Sequence, residues 1–207
     1  MKIGICGGTF DPFHRGHLDP VLAVRDAMEW SRIDYVPAWR QPFKTDAATS
    51  SGYHRFAMAV LATRQHDDVF VSHLELDRGT ISYTVETLEM LRRVHPGATI
   101  DWIIGDDNLA QLGEWKNIER IFELGNFVVL SRLGPATMVP AAYRHRLTTA
   151  AKRGPHGAIV IAPNQTVQIS ATEIRRKVRS GESIAGLVDP DVSHYIQHYR
   201  LYREVQT

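Results

Sequence analysis

Short apolar runs rich in β-branched residues alternate with segments of helical period from one end of the chain to the other. Residues 2–6 (KIGIC) read as a strand interrupted by Gly7-Gly8, after which Leu18, Val21, Leu22 and Val24 recur at helical spacing. Further strands are predicted over residues 33–36, 69–72, 99–104, 127–130 and 158–161. Between them, residues 54–65 form a helix with Phe56, Ala57, Val60 and Leu61 toward the core, and a helix capped by Ser82 or Thr84 runs to a stop at Pro96-Gly97. A helix broken at Gly113 follows the fourth strand, and residues 141–153 read as a short basic helix. Two helices close the chain, one from Ser170 or Thr172 to Gly181 and one over residues 192–199. Regular alternation of this kind specifies an α/β fold with a doubly wound, mostly parallel sheet whose ligands bind at the carboxyl ends of the strands. No repeat, low-complexity tract or linker interrupts it, so residues 1–207 are read as a single domain with a helical C-terminal portion from about residue 170.

Composition narrows the function. At 207 residues and 43% hydrophobic content, the chain can bury one substantial core. Twenty-four basic against 23 acidic residues leave a net charge of +1, so no overall basic field points to nucleic acid. A small phosphorylated ligand held by a few local cations is the better expectation. Cys6 has no partner for an internal disulfide, no stretch is apolar enough to span a membrane, and the N-terminus enters a strand directly. The chain is therefore expected to be cytoplasmic.

Candidate chemistry gathers where strands give way to helices. After the first strand, glycines allow close approach of the backbone, and the free N–H groups of a helix start form an anion site. His14 and His17, three apart, would add two imidazoles to it. A plain tight turn and a two-histidine metal pair are the competing readings; the second lacks further ligands. Gly105-Asp106-Asp107-Asn108 follows the fourth strand, where one aspartate could cap and the other bind a ribose hydroxyl or organise hydrated magnesium. Ser170, Thr172 and Arg175 make a second helix-terminal anion site, with ordinary capping as the alternative. Lys44 lies in a Pro/Ser/Thr-rich loop, as a phosphate contact or a solvated charge, and Trp115 is either presented from a turn or packed in the core. Arg144, Arg146, Lys152 and Arg153 read as a solvated basic face, with an oligomer contact or phosphate patch as the alternative.

The string GGTFDPFHRGH resembles the G-x-F-x-P-x-H-x-G-H signature of the nucleotidylyltransferase superfamily through Gly8, Phe10, Pro12, His14, Gly16 and His17. Arg78, Ser82, Tyr83, Thr84, Thr87 and Leu88 resemble the R-x-x-x-S-Y-T-x-x-T-L motif of bacterial nicotinate-nucleotide adenylyltransferases. Gly105, Asp107, Leu109 and Trp115 match a third motif, ISATEIR from Ile169 to Arg175 a fourth, and the terminal Leu201-Tyr202-Arg203 is similar to that family's C-terminus. The resemblance spans nearly the whole chain and implies a Rossmann-like nucleotidylyltransferase fold.

It also implies adenylyl transfer from ATP to nicotinate mononucleotide, in NAD biosynthesis. His14, His17 and Arg175 would be catalytic, with ATP bound by Gly8, Thr9, Phe10, His14, His17, Gly105, Asp107, Ile169, Ser170, Thr172 and Arg175. Lys44, Ser82, Tyr83, Thr84, Trp115 and Arg132 would hold the mononucleotide, with Trp115 stacked on its pyridine ring. Magnesium would arrive with ATP, bound by phosphates and water rather than by a protein site. The loop Arg40-Gln41-Pro42-Phe43-Lys44 keeps only part of the family's pattern, and residues 133–157 match nothing in it. A homo-oligomer is compatible with all of this. The alternatives are a nicotinamide mononucleotide or pantetheine phosphate acceptor, or a nucleotide sensor without chemistry.

Overall fold

Strand and helix follow one another in the expected order in the computed structural model, which describes residues 1–42, 50–131, 139–163 and 169–203. β1 (Lys2–Gly8), β2 (Arg32–Pro37), β3 (Val69–Val71), β4 (Thr99–Gly105), β5 (Asn126–Ser131), β6 (Leu147–Thr148) and β7 (Ile159–Pro163) form one sheet, ordered β3-β2-β1-β4-β5-β7-β6. Every pairing is parallel. A parallel sheet must be covered on both faces. Ile103 and Val128 pack into a core shared with α1 (Arg15–Val24), α2 (Gly52–Thr63), α6 (Ala171–Arg179) and α7 (Pro190–His198). Their neighbours Trp102, Ile104 and Val129 point the other way, into a second core with α4 (Thr84–Val94) and α5 (Ile118–Leu124). A short helix, α3 (Leu74–Arg78), precedes α4.

The strand order reverses direction between β1 and β4, the point at which doubly wound sheets open a crevice. Cys6 faces Ile103, so the strand ends at Gly8 and Gly105 flank that crevice together. No described helix is long and apolar enough to cross a membrane.

Four departures from the sequence reading concern β1, α2 and residues 141–153. Gly7 and Gly8 do not interrupt β1 but belong to it. Their missing side chains make room for protein rings: a Cβ would lie 2.7 Å from Trp102 at Gly7 and 2.6 Å from Phe10 at Gly8. The buried side of α2 is not the Phe56/Val60 face but Arg55, Met58, Ala59 and Thr63, with Val60 exposed. Residues 141–153 are two 3-10 turns, Ala141–Arg146 and Ala150–Lys152, separated by β6, whose Leu147 and Thr148 add to the open edge of β7.

The fourth departure is Arg153, expected on a solvated face. Its side chain is buried, with Nε and Nη2 each 3.0 Å from Asp101 Oδ2. Asp101 also accepts from Trp30 Nε1 at 2.7 Å and from Asn126 Nδ2 at 2.9 Å. A buried carboxylate persists only when its oxygens are satisfied in this way, so the arginine is drawn in by the charge in β4. Arg146 stays nearer the surface, 4.1 Å over the Phe122 ring and 2.7 Å from Glu119.

Candidate active site

The connection from β1 to α1 is built of rings. Phe10 (φ 53°) and Phe13 are buried, and both pack against Tyr35 and His17, with centroids 5.0 Å from Phe10 to His17 and 5.4 Å from Phe13 to His17. His14 is the N-cap of α1 in extended conformation, and His17 lies one turn on. Their rings stack, with centroids 3.6 Å apart and planes inclined by 24°. The His14 N–H donates to His17 Nδ1 at 3.2 Å, so a neutral His17 carries its proton on Nε2. Tyr35 Oη holds the His17 carbonyl at 2.9 Å. His14 is 5% exposed, and desolvation pushes its pKa from 6.5 down to about 4, leaving a neutral ring whose buried Nδ1 has no hydrogen-bond partner among the described residues. Gly16 is needed beside it, since a Cβ there would sit 3.0 Å from that nitrogen.

A second helix start faces the same loop. Ser170 caps α6 by accepting from the Glu173 N–H at 3.1 Å, while the fully buried Ile174 anchors the helix to the core. Arg175 lies on the next turn position. Its Nη1 donates to the Asp11 carbonyl at 2.7 Å and its Nη2 to Thr172 Oγ1 at 3.2 Å. Ile169 lies against Gly16, its Cβ 3.5 Å from the position a Gly16 Cβ would take. Two helix N-termini, each with a partial positive charge, thus flank Asp11 to His17. Beyond β4, Gly105 is the N-cap of a 3-10 segment, Asp106–Glu114, so neither aspartate caps it. Asp106 is buried, whereas Asp107 is exposed and accepts from Asn108 Nδ2 at 3.0 Å.

On the far side of the crevice, Ser82 does not cap α4. Its Oγ accepts the Trp39 N–H at 3.1 Å and its own N–H donates to the Arg40 carbonyl at 2.9 Å, because the loop after β2 bridges to this segment at Arg40 and Ile81. Tyr83 is the N-cap residue and Thr84 the first residue of α4. Lys116 Nζ sits 4.2 Å over the Tyr83 ring and 2.7 Å from Glu86, whose other oxygen pairs with Arg78. Trp115 is half-buried, edge-on to Phe127 at 5.5 Å, and so is partly committed to packing. The structure therefore brings His14, His17, Ile169, Ser170, Thr172 and Arg175 into one group and Ser82, Tyr83, Thr84 and Trp115 into another. Lys44 and Arg132 lie outside the described residues.

Arg55 was not singled out in the sequence. It is 1% exposed, and its Nη1 donates to the Thr9 carbonyl at 2.6 Å and its Nη2 to the Trp39 carbonyl at 3.4 Å, joining the loops after β1 and β2. Thr9 Oγ1 reinforces that joint through Gln41 Oε1 at 3.0 Å. The signal was its helical spacing to Met58 and Ala59, which an arginine disguises in a hydrophobicity count. Among the described residues, no group of three or more His, Cys, Asp or Glu side chains is placed to hold a metal ion.

Residues 5–177 match the cytidylyltransferase-like family. The chain is 34% identical over its full length to a protein of Clavibacter michiganensis subsp. michiganensis named probable nicotinate-nucleotide adenylyltransferase, covering 96% of that relative. It is 38% identical to one of the same name from Syntrophotalea carbinolica, over 98% of both chains. The solved structure of Plasmodium falciparum nicotinic acid mononucleotide adenylyltransferase complexed with NaAD superposes with a TM-score of 0.73 over 97% of both chains, at 18% identity.

Proposed function

The chain belongs to the cytidylyltransferase-like family and, within it, to the nicotinate-nucleotide adenylyltransferases, and from that premise we infer its reaction. It transfers the adenylyl group of ATP to nicotinate mononucleotide, giving deamido-NAD and pyrophosphate, in NAD biosynthesis. The observation that carries the assignment of residues is the convergence of the stacked His14 and His17 with Arg175 on one loop between two helix starts.

The acceptor's phosphate is already a nucleophile at neutral pH. Its oxygen attacks the α-phosphorus of ATP, a new P–O bond forms, and the α–β bridging bond breaks with its electron pair leaving on pyrophosphate. No general base is required, so the site's task is to align two anions and stabilise charge building on the transferring and departing phosphates. His17 presents Nε2–H to the α-phosphate, because its Nδ1 is occupied by the His14 N–H. His14, neutral and neighbouring, serves the α/β side by hydrogen bonding rather than by charge. Arg175, Ser170 and Thr172 receive the β/γ end, where α6 adds its N–H groups and dipole. Gly8, Thr9 and Phe10 serve through their backbone, and Ile169, Gly105 and Asp107 border the adenosine. Ser82, Tyr83, Thr84 and Trp115 hold the pyridine side, and the resemblance adds Lys44 and Arg132, which lie outside the described residues, to the mononucleotide-binding group.

Arg175 and the N–H donors suit phosphate oxygens rather than a cation, and no group of three or more His, Cys, Asp or Glu among the described residues is placed to hold an ion, so a divalent ion would be held by the triphosphate and water. Magnesium, arriving with ATP, would supply charge neutralisation on the phosphates. The direct test is pyrophosphate release by purified protein from ATP with nicotinate mononucleotide, nicotinamide mononucleotide or pantetheine phosphate. Release with the first well above the others is the expected result; release only with pantetheine phosphate, or with none, rejects the reading.

A further inference from the structure

The carboxylate of Asp11 is 4% exposed and lies inside the loop that carries the histidines. Tyr202, from the segment beyond α7, donates its Oη to Asp11 Oδ1 at 2.7 Å, and Ser50 Oγ donates to the same oxygen. The two hydroxyls are 3.4 Å apart, and Tyr202 Oη also lies 4.0 Å from Met58 Sδ of α2. Reaching this point bends the chain sharply: Arg200 and Tyr202 both take left-handed φ values, 54° and 63°, which residues with side chains adopt rarely. The Leu201 N–H returns to the Ile196 carbonyl at 3.0 Å, so the turn is folded back onto α7. On the other side of the same residue, the Asp11 carbonyl receives Arg175 at 2.7 Å.

We propose that Tyr202 is a positioning residue for ATP: with Ser50 it clamps the Asp11 carboxylate, and through Asp11 it sets the loop on which Arg175, His14 and His17 meet the phosphates. The proposal rests on the adenylyl-transfer reading above. An anion beside a triphosphate binding site must be turned away from the ligand and satisfied, or it repels the substrate. Two O–H donors on one oxygen accomplish both. Tyr202 is suited to the task because burial and the neighbouring Asp11 push its pKa well up, so it stays a donor across the working pH range. The hydroxyl comes from the far end of the chain, 191 residues from Asp11, and the C-terminal turn thereby becomes part of the ATP site.

Full-length Tyr202→Phe keeps the ring and removes only the donor. Its ATP KM should rise about tenfold and its kcat should fall with it, because the same loop carries the histidines, while the KM for nicotinate mononucleotide stays within about twofold, since the clamp acts on one substrate's half of the site. Ser50→Ala removes the other donor to the same oxygen and should shift the same constant in the same direction. It serves as the reporter if Tyr202→Phe fails to fold, as judged by circular dichroism. An unchanged ATP KM, or an equal rise in both KM values, overturns the clamp and leaves Tyr202 as a purely structural anchor. Wild-type protein that turns over neither mononucleotide overturns the parent reading and the clamp with it.

Discussion

His17 accepts a hydrogen bond at Nδ1 from the main chain of His14, the residue whose ring stacks on its own at 3.6 Å. The arrangement fixes one tautomer and aims one N–H, which is the form of preorganisation that lowers a barrier without reorganisation during reaction. His17→Ala should reduce kcat by roughly 10²–10³-fold with a far smaller change in ATP affinity, because the donor acts chiefly on charge developing in the transition state. Single-turnover kinetics beside ATP titration measure the two effects. Near-normal turnover removes His17 from the catalytic group.

Burial of His14 makes stability depend on pH. Its pKa is about 4 in the folded protein against 6.5 for the exposed side chain, so between these values the unfolded chain binds the proton and the native one does not. The contribution is complete above the unfolded value and is lost as pH falls through it toward 4; the gap is worth about 3 kcal/mol in total. Denaturant melts of wild type and His14→Gln at several pH values between 7.5 and 4 isolate it, because other titrating groups are common to both. The variant should lose less stability on acidification. Parallel curves would show that His14 takes up its proton without cost.

Arg55 ties the loops after β1 and β2 from beneath, through the carbonyls of Thr9 and Trp39. Arg55→Leu fills part of the space yet leaves both carbonyls without their donor, and an orphaned buried acceptor costs about 1–3 kcal/mol. Because the two loops serve different substrates, both KM values should rise, in contrast to Tyr202→Phe. Urea unfolding with the two KM values reads this directly, and a shift confined to one substrate contradicts the bridging role.

The alternation of strand and helix was legible because a doubly covered parallel sheet demands nearly continuous apolar strands, as in Thr99–Gly105, and because Gly, Pro and capping residues mark the turns. The histidine pair and Ser170 were legible for the same local reason, since a helix start constrains spacing. What escaped are side chains whose role depends on distant partners. Arg153 reads as a solvated cation until Asp101 is placed beside it, Arg55 stays unremarked until the Thr9 carbonyl is, and β6 exists only because β7 offers an edge. Ser82 looks like a cap in sequence, but its hydroxyl is taken by Trp39 from a loop 43 positions earlier.

Trp115 separates packing from binding. It is half-buried and edge-on to Phe127, so part of its surface remains for a ligand ring. Trp115→Ala should raise the KM for nicotinate mononucleotide with little change for ATP. A tryptophan acting purely in the core would instead cost about 3–5 kcal/mol and disturb both substrates alike. Thermal unfolding run beside kinetics distinguishes them.

Acceptor choice rests on charge at the start of α4. Tyr83 and Thr84 open that helix, whose first N–H groups have no partner within it, and Lys116 lies over the Tyr83 ring at 4.2 Å with Arg78 one ion pair away through Glu86. The single first-turn carboxylate, Glu86, is already engaged by these two cations, and its pKa is held below the usual range chiefly by the hydrogen bond from Lys116. A nicotinate carboxylate meets donors and net positive charge there. The amide of nicotinamide brings two N–H donors of its own, for which a donor-rich helix start, its one carboxylate already engaged, offers few acceptors. One unpaired donor costs about 1–3 kcal/mol, so kcat/KM should favour the acid by roughly 10–100-fold at equal ATP. Lys116→Met should narrow that ratio by weakening the acid alone. Parity between the two mononucleotides in the wild type, or a Lys116→Met variant that slows both equally, means that the pyridine substituent is read somewhere other than the start of α4.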